Sequence, residues 1–421
     1  MARESPQWLR RSAIVFTQSS QALSNAAVAL FLPLIRSDLD ISFAGAGLLA
    51  AVPSLTYALM QLPAGYATDR MDPKVLFAGG ALATNGLGIA FAFGNSLTVL
   101  IVVQGLAGCS RAFMFIPGLQ LITEQFSEAR RASAMGLLFA GGLSAYVTVN
   151  LLGPALLEPL GWRGFMATIS IGGLASLVAF WLVTARSPRR RYADRLSRQG
   201  SVWRTQAWWL LALVQFVRMG IMNGFTFWLP TFLVVERGFP IAAAGLVVAG
   251  TYAVVAASNV VGGLVSDHWQ VPVPLIVVSL AALSVLLALV GVVDRAIWVI
   301  ATTALIAVFL QFYFGALFVV PVRIFGPSIS GVSTGFGNFC ANVGAFVASL
   351  SMGVLRDITD SFTAGFLCMS GAALVALMAI VRLAITLRHQ GESGSGMSTE
   401  AAYQVSQRAG VPTWSENGSI T

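Results

Sequence analysis

The chain has 421 residues, 57% of them hydrophobic and only 10% charged. A soluble domain carries about 25% charged residues, so a water-soluble fold is excluded and the chain is expected to live in a lipid bilayer. The formal net charge of +8 would suggest nucleic acid in a soluble domain, but here the basic residues lie in loops between apolar runs, so topology explains them and no nucleic-acid partner is expected.

A bilayer core needs about 20 apolar residues per helix. Twelve stretches qualify: 12–35, 42–64, 75–94, 97–119, 132–157, 163–184, 207–235, 240–262, 272–292, 296–322, 330–353 and 362–387. Residues 1–11 form a short N-terminal segment with Arg10 and Arg11 just ahead of the first span. No small-residue cleavage site follows a short apolar core, so that span reads as an uncleaved helix.

The first span carries a polar stripe, Gln18, Gln21 and Asn25, at helical spacing i, i+3, i+7. A charged stretch, Gly65 to Leu76 (GYATDRMDPKVL), separates the second and third spans. In it Gly65 would let a neighbouring helix approach closely. Asp69 could accept hydrogen bonds from another helix's N-terminus, and Arg70 with Lys74 would mark the cytoplasmic side.

In the fourth span Arg111 lies about 21 Å along the helix at about 1.5 Å per residue, sharing a face with Gln104 and Gly108. Tyr146 and Asn150 are spaced i, i+4 on the fifth span. Residues 12–184 then form one block of six spans, and 185–206 (ARSPRRRYADRLSRQGSVWRTQ) is a basic linker with seven arginines. Residues 207–388 form a second block of six. Arg218 sits roughly 17 Å into its first helix, with Trp228 further along. Tyr252 and Asn259 share a face of the eighth span, Phe312 and Tyr313 sit on the tenth, and Asn338, Asn342 and Ser349 share a face of the eleventh. Residues 389–421, rich in Ser, Gly, Thr and Glu, are expected to be a disordered tail.

The charged stretch recurs. Gly263 to His268 (GLVSDH, with Asp267) follows Gly65 by 198 residues (263 − 65), Leu32-Pro33 is answered by Leu229-Pro230, and the segment after Phe126 by that after Phe325. Three matches in one register point to a duplicated membrane domain. At these residues the sequence resembles the major facilitator superfamily, whose loop between helices 2 and 3 has the pattern G-x-x-x-D-R-x-G-R-[KR]. It matches at Gly65, Asp69 and Arg70 and departs at Asp72 and Pro73, and the resemblance covers residues 12–388.

The resemblance implies an all-α integral membrane protein, with twelve transmembrane helices in two pseudo-symmetric six-helix bundles. It implies alternating access about a site near the midplane, and a cavity lined by helices 1, 4, 7 and 10 and flanked by 2, 5, 8 and 11. It also implies a gate in which Asp69 binds across the interface between the halves in the outward-open state, with Gly65, Arg70 and Asp267 as the other gate residues.

No catalytic constellation, phosphate loop or metal cluster is present in the sequence, so neither enzyme activity nor a cofactor or metal is expected. Cys109, Cys340 and Cys368 lie in apolar runs without ligand spacing and read as packing residues. Function should come from polar groups inside the membrane, which are costly in lipid and mark water-filled paths or helix contacts. Arg111 and Arg218 are near the middle of a core about 30 Å thick, and no Asp or Glu lies at matching depth in any span. Either they face a central cavity and bind an anion, or they cap backbone carbonyls. The candidate substrate site is Arg218, Arg111, Gln18, Gln21, Asn25, Tyr146, Tyr252, Asn338 and Asn342, although each polar stripe taken alone could equally be glue between helices.

Residues 228–239 (WLPTFLVVERGF) resemble helix 7 and the following loop of organic-anion and cyanate-type members. Residues 335–344 (GFGNFCANVG) resemble the Gly-Asn signature of nitrate transporters, which also carry an arginine in helix 2; residues 42–64 have none. The expectation is a secondary transporter of a small organic anion, a mono- or dicarboxylate, with a coupling proton or a counter-anion both open. The rivals are an exporter of neutral or hydrophobic compounds and a non-transporting scaffold or receptor. Placing both termini and the linker in the cytoplasm, in the inner membrane, puts 18 Lys and Arg inside and five outside (Arg36, Arg163, Arg237, Arg295 and Arg356).

Overall fold

The computed structural model describes residues 6–127, 130–184, 205–269, 272–325 and 330–409, without the side chains of 131–133, 267, 318, 322, 323, 330–334 and 387–409. Among the described residues every regular element is a helix. The first four are α1 (Gln7–Leu39), α2 (Phe43–Arg70), α3 (Pro73–Ala92) and α4 (Leu97–Glu124). The next element, Arg131–Val183, is 53 residues long. As a straight rod it would reach about 80 Å, far beyond a bilayer core of about 30 Å. It turns at Gly161, whose φ of 62° and ψ of 172° lie outside helical space and suit a residue without a Cβ. It is therefore two spans, α5 (131–160) and α6 (162–183).

In the second half α7 (Gln206–Thr231) runs on through a π turn, Phe232–Glu236, and is followed by α8 (Ile241–Trp269) and α9 (Pro272–Val292). α10 consists of Ala296–Phe312 and Phe314–Phe325, broken at Tyr313, and α11 (Ser330–Thr359) and α12 (Thr363–Ala409) complete the chain. Eleven described helices are long and apolar enough to cross a membrane; splitting the longest at Gly161 gives the expected twelve spans.

Local chemistry explains the joints. Ser42 caps α2 by accepting from the Gly45 N–H, and Asp72 caps α3 by accepting from the Lys74 N–H with Pro73 in the first helical position. Asp72 and Pro73, where the sequence departs from the superfamily pattern, thus start a helix. α2 runs to Arg70, so Asp69 and Arg70 stand on a helical turn and the joint shrinks to Met71 and Asp72. Lys74, the single lysine of the chain, is 7% exposed, and its ammonium donates to the carbonyls of Trp181 and Thr184 at the end of α6. α12 continues to Ala409, into the stretch expected to be a disordered tail. The linker, 185–204, and residues 410–421 lie outside the described residues.

The two six-helix bundles meet along α2 with α11 and along α5 with α8, with a further contact of α1 with α7. Call the side where α1 begins the near face and the opposite side the far face. Toward the far face the seams are tight: a Cβ on Gly353 would collide with the Phe43 carbonyl, and one on Gly245 with the Asn150 carbonyl. Toward the near face a Cβ on Gly65, Gly142, Gly263 or Gly335 would meet nothing within 4 Å. The bundles are closely packed against each other at the far face.

Candidate functional site

A cavity of about 210 Å³ lies between the bundles. α1 contributes Gln21 and Asn25, α2 Ser54 and Tyr57, α4 Gln104 and Arg111, and α5 Tyr146. From the second bundle come Asn223 and Thr226 on α7, Tyr252 on α8 and Asn342 on α11. Val28, Leu49, Pro53, Met219 and Phe227 are among its apolar walls, and no carboxylate lines it.

Arg111 supplies the cavity's charge. Gly108, one turn earlier, has no room for a side chain against Pro53 and Thr56, so α4 presses on α2 and carries the arginine into the space between the halves. The residue is 6% exposed, and its Nε has no hydrogen-bond partner among the described residues. The ion pairs Arg163–Asp38, Arg237–Asp294, Arg356–Glu236 and Arg356–Asp360 lie at the far face, away from it. A guanidinium stays charged at any physiological pH, so Arg111 presents an uncompensated positive charge to the cavity. Tyr146 lies beside it and is approached by Asn25. The Tyr146 ring stacks on Tyr252 of the other bundle, with centroids 4.4 Å apart and planes at 25°.

Six of the nine expected substrate residues are thus brought together: Arg111, Gln21, Asn25, Tyr146, Tyr252 and Asn342. The other three lie elsewhere. Arg218 is 5% exposed, donates from Nε to Gln215 Oε1 at 2.9 Å, and lies 5.0 Å from the Phe314 ring centroid on the α10 side. The cavity-facing positions of α7 are Met219, Asn223 and Thr226, and a step of one residue turns a side chain about 100° around the helix. Gln18 is buried against α4, its Oε1 2.8 Å from where a Cβ on Gly118 would sit. Asn338 donates to Gln61 Oε1 at 2.8 Å across the α2–α11 seam.

Sequence reasoning passed over Tyr57 and Ser54, although Ser54, Tyr57 and Gln61 have the same i, i+3, i+7 spacing as the stripe on α1. It also passed over Asn223, whose amide donates to Ser54 Oγ at 3.3 Å between the bundles. Of the expected gate residues, Asp69 and Arg70 are exposed at the near face, and the Arg70 guanidinium stands 3.4 Å over the Tyr66 ring. Gly65 has no helix against it. Asp267 falls in the last turn of α8, and its side chain lies outside the described residues.

The profile of the Major Facilitator Superfamily matches residues 14–349. The chain belongs to the major facilitator superfamily. Among curated relatives, the probable nitrate/nitrite transporter NarK2 of Mycobacterium tuberculosis (strain ATCC 25618 / H37Rv) is 28% identical over 355 residues, covering 80% of this chain and 87% of the relative. The hexuronate transporter of Bacillus subtilis (strain 168) is 23% identical over 387 residues, covering 86% and 90%. The fold is similar to a crystal structure of a bacterial homolog of the human lysosomal transporter Spinster, in an inward-facing and occupied conformation. That likeness has a TM-score of 0.75 at 16% identity and covers 89% of this chain and 96% of the other. This member of the superfamily is therefore a multi-pass membrane protein and a secondary transporter rather than an enzyme.

Proposed function

We propose that this major facilitator carries a small organic anion, bound through a carboxylate at Arg111, between the two faces by rocking of the bundles. The observation that carries the reading is the buried, unpaired guanidinium in a cavity whose other polar groups are uncharged. A planar carboxylate can accept two parallel hydrogen bonds from it and supplies the missing charge. The cavity holds this one arginine beside ten uncharged polar side chains, which favours a monocarboxylate with hydroxyl or amide groups on its body over a dicarboxylate. Relatives named as transporters of nitrate or nitrite and of hexuronate support an anion. An exporter of hydrophobic compounds would prefer an acidic cavity, and none of the lining residues is acidic.

Coupling falls to the solutes, because no Asp or Glu lies at mid-membrane depth in any of the twelve apolar runs. Exchange against a counter-anion and carriage of a proton on the substrate's own carboxyl both satisfy this. The excess of Lys and Arg over the near face makes that face the cytoplasmic side of the inner membrane, with both termini inside. A thermal-shift screen of the purified transporter tests the reading, because a ligand of the folded state raises apparent stability. Hydroxylated monocarboxylates should raise Tm where their uncharged amides or alcohols do not. Equal shifts from acid and amide would defeat it.

A further inference from the structure

α2 and α11 are antiparallel, and at the far face the end of α11 meets the beginning of α2. The first N–H groups of a helix have no partner within it. In α2 they are all supplied from outside: the Gly45 N–H by Ser42, and the Phe43 and Ala44 N–H groups by Asp357 of α11, at 2.9 and 2.6 Å to its two carboxylate oxygens. The carboxylate belongs to one bundle and the helix start to the other. Phe43 itself is wedged into the second bundle. Its ring packs on Trp228 and Phe362 and is covered by the guanidinium groups of Arg36 at 3.3 Å and Arg356 at 4.7 Å. Gly353 clears the backbone space for this approach.

We propose that Asp357 is the far-face latch of the transport cycle, let go as the bundles rock. With the far face closed, Asp357 at the end of α11 caps α2. The carboxylate thus stabilises the far-face-closed conformation and is released to water in the other. The positive end of a helix favours a negative charge, so charge matters in the latch beyond hydrogen bonding. Asp357 is at the exposed rim, where releasing it costs no burial of a bare charge. The inference rests on packing between the bundles and does not depend on which anion is carried.

The test uses the full chain in nanodiscs without substrate, with Cys109, Cys340 and Cys368 replaced by serine. Spin labels at Met71→Cys and Trp269→Cys, exposed near-face positions on opposite bundles, report the separation of the near face. Asp357→Asn should move population from the long to the short distance, changing their ratio about tenfold, the scale of one charge-assisted contact. Asp357→Glu, which keeps the charge, should resemble the parent. A distribution unchanged by Asp357→Asn, or one moved equally by Asp357→Glu, would overturn the proposal and leave Asp357 a local cap.

Discussion

Replacing Arg111 by glutamine should weaken anion binding while leaving the fold no less stable. The two effects separate because the side chain stands unpaired. A buried charge without a partner carries a desolvation cost of several kcal/mol after relaxation, and Arg111 is 6% exposed with an unsatisfied Nε. Glutamine keeps much of the length and removes the charge, so the empty protein should gain or hold stability. The bound anion loses a charge-assisted contact worth about 1.5–3 kcal/mol, which is a factor of roughly ten to a hundred in affinity. Thermal-shift titration reads both quantities, the unliganded Tm and the concentration at which ligand raises it. The expected outcome is an unliganded Tm equal to or above the parent's, with the titration shifted at least tenfold to higher ligand. A fall in Tm of several degrees with unchanged ligand dependence would refute the reasoning, because it would make Arg111 a structural residue.

Three further outcomes follow from the packing. Arg218→Gln should change affinity less than about threefold but lower Tm, because the side chain bonds Gln215 and covers Phe314 on the α7–α10 face, where a charged hydrogen bond contributes about 1.5–3 kcal/mol. Lys74→Met should destabilise the first bundle by about 2–3 kcal/mol, read by denaturation in detergent, since it removes a charged donor from two carbonyls that close α6. Tyr252→Ala should lower transport per molecule more than abundance. It removes the ring stacked on Tyr146, a contact worth about 0.5–1.5 kcal/mol beyond its area, and Tyr252→Phe, which keeps the ring, should recover most of the rate.

The number and order of the spans were legible because a bilayer demands long apolar runs, and the break at Gly161 fell in the joint expected between residues 157 and 163. The polar stripes were legible too. Tyr146 and Tyr252 were each selected by helical spacing on their own span, but nothing in either stripe says that the rings stack, since 106 residues (252 − 146) separate them. The helical phase of α7 was the weak point. Arg218 drew attention as a charge at mid-membrane depth, and depth along an axis says nothing about direction around it. Asn223 and Thr226, on the face that does line the cavity, carry no charge and were passed over. The reach of α2 to Arg70 was hidden for a related reason: charged residues read as loop, whereas a helix end can leave the bilayer and stay helical. The contact of Asp357 with the start of α2 joins positions 314 residues apart, and no local pattern in the sequence announces it.

The most direct measurement of the central claim is flux in proteoliposomes of the purified chain, loaded with a hydroxylated monocarboxylate and assayed for uptake of the same labelled acid. The parent should show saturable uptake that the acid competes for and its uncharged amide does not, and Arg111→Gln should need at least about tenfold more acid for half-saturation. Uptake that saturates identically in the parent and in Arg111→Gln, or competition by the amide as strong as by the acid, would contradict the account.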